Sequence, residues 1–555
     1  MALHKSKVNV KHPDDVVIVC AIRTAITKGK RGPLRDTQAE TLFQKILEGV
    51  IKKTGIKPEL VEDIHVGNTI KQSIGAMEFR MAALAAGFPE TTSLAATNRA
   101  CSSGLQATHY IAAAIATGTI EIGIGAGVES MSNGYGDRAP AVVSEKILRA
   151  NPVVADALIP MGITSENVAA DFNISRQKQD EFSVMSHKKA AAAQKAGYFK
   201  EEIWPIEVEM MQSDGSKKRV VVADDDGIRA DTTLEGLSKL KPAFKAGGST
   251  TAGNASQVSD GAAAVLMMKR KKAQELGLPV LATFAAFATI GVPPRVMGIG
   301  PAYAIPKVLA HAGLTKDDID IFEINEAFAS QAVYSIDKLG LDYSKVNPKG
   351  GAIAIGHPLG CTGARQIATI IPELRRQGKK IGVTSMCMGG GMGGANHSIK
   401  IEEDSDRSQL IITLSSSVVL SLTIDNLEVY PYSNIEVAVD DGNSQSHLAT
   451  NGEEPSEEDE NDLIMFAAPT KKTKPNYSPN DRALQKMADL AFNESFVMSN
   501  TQIGKSCVAS IIPVPSLVDA RVLTKEIVQT MDLVDDSLWI VLLLFDEEIT
   551  PRVYS

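Results

Sequence analysis

Aromatic residues make up only 5% of this 555-residue chain, and cysteine occurs just five times, at Cys20, Cys101, Cys361, Cys387 and Cys507. Cysteines this sparse, at spacings that fit no zinc motif, argue against a disulfide-stapled secreted domain and against a structural metal site, and favour a reducing compartment. A basic excess is also missing. The 57 Lys and Arg stand against 66 Asp and Glu, a formal charge of -9, so nucleic acid is a poor partner while a small anionic ligand is not. The N-terminal "MALHKSKVNVKHPDD" lacks the apolar core of a signal peptide, and its two Asp argue against an Arg-rich transit peptide. The uncharged stretch "SQLIITLSSSVVLSLTI", Ser408 to Ile424, is short and Ser-interrupted for a bilayer span and reads as a strand pair, so no membrane span is expected.

What is present is ordinary for a globular protein, 44% hydrophobic and 22% charged, at a length that calls for three or four units. "DDVVIVCAIRTAI" reads as a buried strand, "AETLFQKILEGVIKKTG" as an amphipathic helix stopping at Gly55, and "VEDIHVGNTI" as another strand. The Ala-rich helix "GLQATHYIAAAIATG" then leads into the strand "IEIGIGAGVES". The same grammar returns in "DIDIFEINEAFA", "GGAIAIGHPLGCTGARQIATIIPELRRQGKK" and "IGVTSMCMGGGMGG", which makes two similar α/β halves the economical fold. We place the first half at residues 1–129, completed by about 258–278, and the second at 279–401. An inserted loop domain at 130–257 is expected to carry ligand contacts. After Ile401 the texture changes, and residues 402–555 read as an extension with a disordered acidic and basic linker at about 440–482, a helix candidate "DRALQKMADLAF" and a strand candidate "SLWIVLLLF".

Four short stretches carry reactive side chains. In "NRACSSGLQA" Cys101 stands at a small-residue turn into a helix, where unpaired N–H groups and the helix dipole favour thiolate. A buried, inert cysteine is the plainer reading of that stretch alone. In "GGAIAIGHPLGCTGA" His357 takes the corresponding place in the second half, so approximate two-fold packing would bring an imidazole base to the thiol. In "SMCMGGGMGG" Cys387 precedes Gly389, and glycines let backbone N–H groups approach a reacting carbonyl oxygen while the thiol shuttles a proton. In "FEINEAFAS" Asn325 can hold a water or donate to an oxyanion and Glu326 can orient a neighbour, although an Asn cap with Glu in the first turn explains the same letters. The glycines of "GIGAGVES" lack the spacing of a dinucleotide-binding turn.

Together with "GAGVESMS", "PMGITSENVA", "GSTTAGNASQVSDGAAAVL" and "NPKGGAIAIGHPLGCTGARQ", these stretches, in this order, resemble the thiolase family over residues 1 to about 401, in particular thiolases of the 3-ketoacyl-CoA type. The resemblance implies a five-layered α-β-α-β-α arrangement and at least a dimer. It implies Cys101 as the nucleophile, His357 as its activator, Cys387 as the acid and base at the departing enolate and the incoming CoA, and Asn325 as the holder of a water. The N–H groups of Cys101 and Gly389 would bind the tetrahedral oxyanion. It further implies that Arg229 contacts the nucleotide end of CoA, that Ser256 contacts pantetheine, and that Met161 and Phe244 line the acyl or pantetheine path. A surface charge explains Arg229, and core packing Met161 and Phe244, on physical grounds alone. CoA enters as co-substrate, with no other cofactor and no metal. Pro160 before Met161, where short-chain biosynthetic members commonly carry His, points to the degradative class. An acetoacetyl-CoA thiolase and a silent scaffold binding protein partners through its tail are the alternatives. The family points to the peroxisome, with mitochondrion and cytosol open, although no N-terminal nonapeptide signal is found and "VYS" is not a peroxisomal tripeptide.

Overall fold

A computed structural model describes residues 11–135 and 143–401, and beyond them only the strands at 410–415, 418–422, 495–499, 506–514 and 539–545. The chain separates into two compact units, Met1–Glu402 and Glu403–Ser555.

The first half runs β1 (Val16–Arg23), β2 (Thr27–Lys28), α1 (Ala39–Thr54), β3 (Asp63–Gly67), α2 (Ala76–Ala85), β4 (Ser93–Thr97), α3 (Ser103–Ala116) and β5 (Ile122–Ser130). Helix α1 buries Leu42, Phe43, Ile46, Leu47 and Val50, a stripe at helical spacing, and stops where Gly55 adopts a left-handed φ of 64°. The segment that follows holds α4 (Glu145–Leu148), α5 (Met161–Asp171), α6 (Arg176–Lys195), the hairpin β6 (Ile206–Met211) and β7 (Lys217–Val222), and α7 (Leu234–Ser238). The chain then returns as β8 (Ser259–Lys269), which inserts antiparallel between β1 and β5, and α8 (Arg270–Glu275). The resulting order is β4-β3-β5-β8-β1, with β3 parallel to both β4 and β5.

The second half repeats the plan with β9 (Ala282–Thr283), β10 (Ala286–Gly291), α9 (Gly300–Ala312), β11 (Ile321–Ile324), α10 (Ala329–Leu339), α11 (Ala352–Ile355), α12 (Thr362–Arg376), β12 (Ile381–Met388) and β13 (Met392–Ile401). Strands β11 and β12 are parallel, and β13 runs antiparallel to β12 and β10. Val346 makes a parallel bridge to Phe322 in the position β4 occupies in the first half. Short β9 pairs with β1 and β13 and so joins the two sheets. Small or apolar residues were expected at Asn396 and His397, yet β13 continues through them, with Asn396 opposite both Thr384 and Phe287. Ladder hydrogen bonds involve the backbone alone, so the strand forms regardless, although the buried Asn396 amide finds no partner among the described residues.

Between the sheets, α12 is buried on every side from Thr362 to Leu374, as a helix enclosed all round must be. It meets α3 backbone to backbone. A Cβ on Gly104 would lie 2.5 Å from the Gly360 carbonyl oxygen, and one on Gly363 would collide with Leu105. Glycine permits this approach, and it sets the starts of the two helices side by side.

In the second unit, Leu410–Ser415 and Val418–Leu422 form the antiparallel pair expected of that stretch. Ser506–Val514 lies between Ser495–Ser499, antiparallel, and Trp539–Phe545, parallel. The linker expected at about 440–482 and the helix candidate "DRALQKMADLAF" lie outside the described residues. Among the described residues, no helix is long and apolar enough to cross a membrane.

Candidate active site

Strand β4 ends in a turn built by its own side chains. Asn98 Oδ1 accepts the Ala100 N–H at 2.9 Å, while Ser103 Oγ accepts the Arg99 N–H at 2.9 Å and donates to the Ala100 carbonyl at 2.6 Å. Ala100 is held at φ 46°, a left-handed conformation that costs a non-glycine residue about 1–3 kcal/mol. Cys101 follows, one residue before the Ser102 cap of α3. Its sulfur is reached by the N–H groups of Cys101 and Gly389, which favour thiolate, but burial outweighs them and pushes the thiol up to about 11. The thiolate expected from the helix start is therefore not the resting form. Desolvation acts on the whole charge, whereas each N–H offsets only part of it.

His357 is almost fully buried. Its Nδ1 lies 2.6 Å from Thr362 Oγ1, and that hydroxyl donates to the Pro358 carbonyl at 3.0 Å. The hydroxyl must then accept from Nδ1–H, which leaves the imidazole lone pair on Nε2, 3.3 Å from Asn325 Nδ2. Burial, aided by the Arg365 charge, pushes the imidazole down to about 3, so it rests neutral. His357 was expected in the helix-opening position held by Cys101 in the first half. The cap of α12 is Cys361, so the residue in register with Cys101 is Gly360, and His357 stands three residues earlier. Among the described residues no hydrogen bond joins Cys101 to His357, and the carboxylate that bridges their turns, Glu129, was not singled out from sequence.

Asn325 leaves β11 with its N–H on the Ser385 carbonyl at 2.8 Å, and its Oδ1 is buried without a partner among the described residues. Glu326 faces away from it, accepting from Ser186 Oγ at 2.6 Å, Asn347 Nδ2 at 2.8 Å and the Ile353 N–H at 3.2 Å, which anchors this loop to α6.

Cys387 closes the cluster from β12. Its thiol donates to Gln331 Oε1 at 3.8 Å, and burial together with nearby Cys101 pushes its pKa far up. Gly390 and Gly391, at φ 80° and 89°, turn the chain back into β13. Gly389 is bare enough that a Cβ there would have Ala100 Cβ at 3.5 Å and Met161 Sδ at 3.7 Å as its neighbours.

The inserted segment contributes a rim. Met161 opens α5 and packs with Met297, Ala327, Phe328 and Cys387. Phe244 is 44% exposed, with its ring edge-on to Phe328 at 6.1 Å. Ser256 is half-buried and donates its N–H to the Ala327 carbonyl at 3.0 Å, two residues beyond Asn325 in the chain. Arg229 is exposed, and its N–H is held by His187 Nδ1 at 3.2 Å. Sequence reasoning missed Gln331, Glu129 and His187, because each acts through a contact with a distant segment, and Thr362, in the same turn as His357, because the letters do not show where its hydroxyl points. The four cysteines among the described residues are all free thiols, and no cluster of three His, Cys, Asp or Glu there could hold a metal.

Residues 16–271 match the thiolase N-terminal domain and residues 278–400 the thiolase C-terminal domain. The chain is 57% identical over 386 residues to the peroxisomal 3-ketoacyl-CoA thiolase of Yarrowia lipolytica, covering 70% of this chain and 93% of that protein. To the human peroxisomal 3-ketoacyl-CoA thiolase it is 53% identical over 383 residues, 69% of this chain and 90% of the relative. Among solved structures, the dimeric peroxisomal thiolase of Saccharomyces cerevisiae superposes with a TM-score of 0.66 at 52% identity, covering 70% of this chain and 98% of that one. A second structure of the yeast enzyme, described as five-layered and built from two core domains of identical topology, superposes with a TM-score of 0.59 at 46% identity, covering 71% of this chain and all of that one. Matched over both halves in sequence and fold, the chain belongs to the thiolase family.

Proposed function

We infer that this protein cleaves 3-ketoacyl-CoA with CoA, releasing acetyl-CoA and an acyl-CoA shortened by two carbons, in fatty-acid β-oxidation. The observation that carries the mechanism is the Cys101 sulfur under the Gly389 N–H, with Cys387 beside it. A thiol near 11 is ionised to only about one part in ten thousand at neutral pH, so its proton must leave as the bond to carbon forms. Neutral His357 accepts it at Nε2, and the Cys101 thiolate attacks the 3-keto carbon. The N–H groups of Cys101 and Gly389 hold the oxyanion.

Collapse breaks the C2–C3 bond and leaves the acyl group on sulfur and the electron pair on the enolate of acetyl-CoA. Cys387, kept protonated by its surroundings, delivers a proton to C2. A water held by Asn325 Oδ1, together with His357, would face the enolate oxygen. CoA then gives its thiol proton to the Cys387 thiolate and attacks the acyl carbonyl, and Cys101 departs and recovers its proton from His357. Arg229 and Ser256 would hold CoA, with Met161 and Phe244 along the acyl or pantetheine path.

The degradative class rests on Pro160 and on relatives named 3-ketoacyl-CoA thiolase, which also assign the peroxisome. Dimer formation rests on the yeast structure and on a surface suited to it. Among the described residues, strand β4 is hydrogen-bonded only on its β3 side, and α2 beside it exposes Met77 at 73% and Met81 at 66%. For residues 402–555 we propose protein binding, with no part in the chemistry. The deciding experiment is CoA-dependent cleavage of acetoacetyl-CoA and of a medium-chain 3-ketoacyl-CoA by full-length protein. Faster turnover of the longer substrate supports the degradative reading, and a preference for acetoacetyl-CoA overturns it. Truncation after Ile401 is expected to preserve turnover.

A further inference from the structure

We propose that Glu129 is a positioning residue for this reaction, its carboxylate tying the turn that presents Cys101 to the turn that presents His357. The proposal rests on the assignment of those two residues as nucleophile and base. Glu129 lies at the end of β5 and is 1% exposed. Its Oε1 accepts from Asn68 Nδ2 at 2.8 Å and the Ile70 N–H at 3.3 Å, and its Oε2 from the N–H groups of Thr69 and Gly360, both at 3.0 Å.

These donors belong to the two turns that matter. Asn68, Thr69 and Ile70 form the loop after β3, and Thr69 Oγ1 donates to the Ala100 carbonyl at 2.9 Å while the Thr69 carbonyl accepts from Asn98 Nδ2 at 3.2 Å. The first-half loop on Glu129 therefore braces the strained residue that precedes Cys101. Gly360 stands three residues after His357, in the turn where the Pro358 carbonyl accepts the Cys361 N–H and the Thr362 hydroxyl. One side chain thus spans both halves of the fold.

Among the described residues no Lys or Arg pairs with Glu129, so nothing but N–H groups offsets the burial of its charge, an arrangement that stability alone does not favour. Each oxygen takes two of those donors, so a Gln amide in either orientation would turn its NH2 against two of them. Glu129 is not itself the base, since both of its oxygens are taken up by four N–H donors and, among the described residues, none of its hydrogen bonds goes to Cys101.

The test is steady-state cleavage of a medium-chain 3-ketoacyl-CoA by full-length protein. Glu129→Gln is expected to lower kcat about 100-fold, the scale of a 1 Å misplacement, with KM for both substrates within about twofold of wild type. Thr69→Val leaves the carboxylate in place but cuts its link to Ala100, and is expected to lower kcat about tenfold at unchanged KM. Turnover by Glu129→Gln within about threefold of wild type, or a loss carried mainly by KM, overturns the proposal. Where Glu129→Gln does not fold, Thr69→Val decides, a kcat loss supporting the proposal and wild-type turnover overturning it. A wild-type protein inactive on every 3-ketoacyl-CoA overturns the functional reading and this proposal with it, whereas an active wild type with unaffected variants overturns the role of Glu129 alone.

Discussion

Cys101 stands one residue outside α3, where orphan N–H groups favour thiolate, yet desolvation holds the thiol near 11. The site therefore stores a proton until substrate arrives, and its residues are best tested by where that proton goes. Cys101→Ser is expected to reduce turnover at least about 1,000-fold with the fold intact, since an alkoxide is far harder to form than a thiolate, and normal turnover would sink the nucleophile assignment. Thr362→Val removes the acceptor that fixes Nδ1–H of His357, leaves that N–H buried and unpaired, and should lower kcat about 10- to 100-fold, read from initial rates. The buried imidazole also gives a pH signature. Its folded pKa of about 3 lies below the ordinary value of 6.5, so between those values the unfolded chain binds more protons and stability falls as pH falls. In urea titrations, the stability of the wild type relative to His357→Gln should decline steadily from pH 6.5 to 4. A constant difference would mean that His357 is not buried neutral.

At the scale of elements, the active site depends on how closely α3 and α12 approach. Glycine-rich stretches were legible in the sequence as turns and a smooth strand, and β5 does use them, since a Cβ on Gly125 would collide with Thr108 of α3 and one on Gly127 with the Gly360 carbonyl. Their purpose was not legible, because the atoms they admit belong to other segments, the neighbouring helix at Thr108 and the opposite half of the fold at Gly360. Gly104→Ala would set a methyl group 2.5 Å from the Gly360 oxygen, and is expected to cost about 1–3 kcal/mol in denaturant unfolding and to depress kcat by shifting the His357 turn. Stability and turnover both at wild-type level would show that the helices can part without consequence. The repeat in the sequence located both turns correctly but misplaced His357 by three residues against Cys101, because similarity of pattern does not reveal where a helix caps.

At the scale of the molecule, an edge strand beside an apolar helix face calls for a cover. Met77 and Met81 lie one turn apart on α2, with Leu84 completing the exposed ridge. The double substitution Met77→Lys, Met81→Lys is expected to yield monomers by light scattering, and a dimer of unchanged affinity would place the interface elsewhere. The scarcity of aromatics is met in the same unit by packing small residues at close range, with α12 enclosed on all sides between the sheets.

Taken alone, the sequence determined the α/β class and the two-half plan, and it put forward Cys101, His357, Cys387 and Asn325 as the reactive candidates. Those follow from local periodicity, turn chemistry and the order of motifs, all properties of contiguous residues. Tertiary structure alone decided the resting protonation of Cys101 and His357, the tautomer imposed by Thr362, the partner of the Cys387 thiol and the bridge made by Glu129. Each depends on burial or on a hydrogen bond that only the folded chain makes, within one turn for Thr362, within the second half for Gln331 and Cys387, and across the two halves for Glu129 and Gly360.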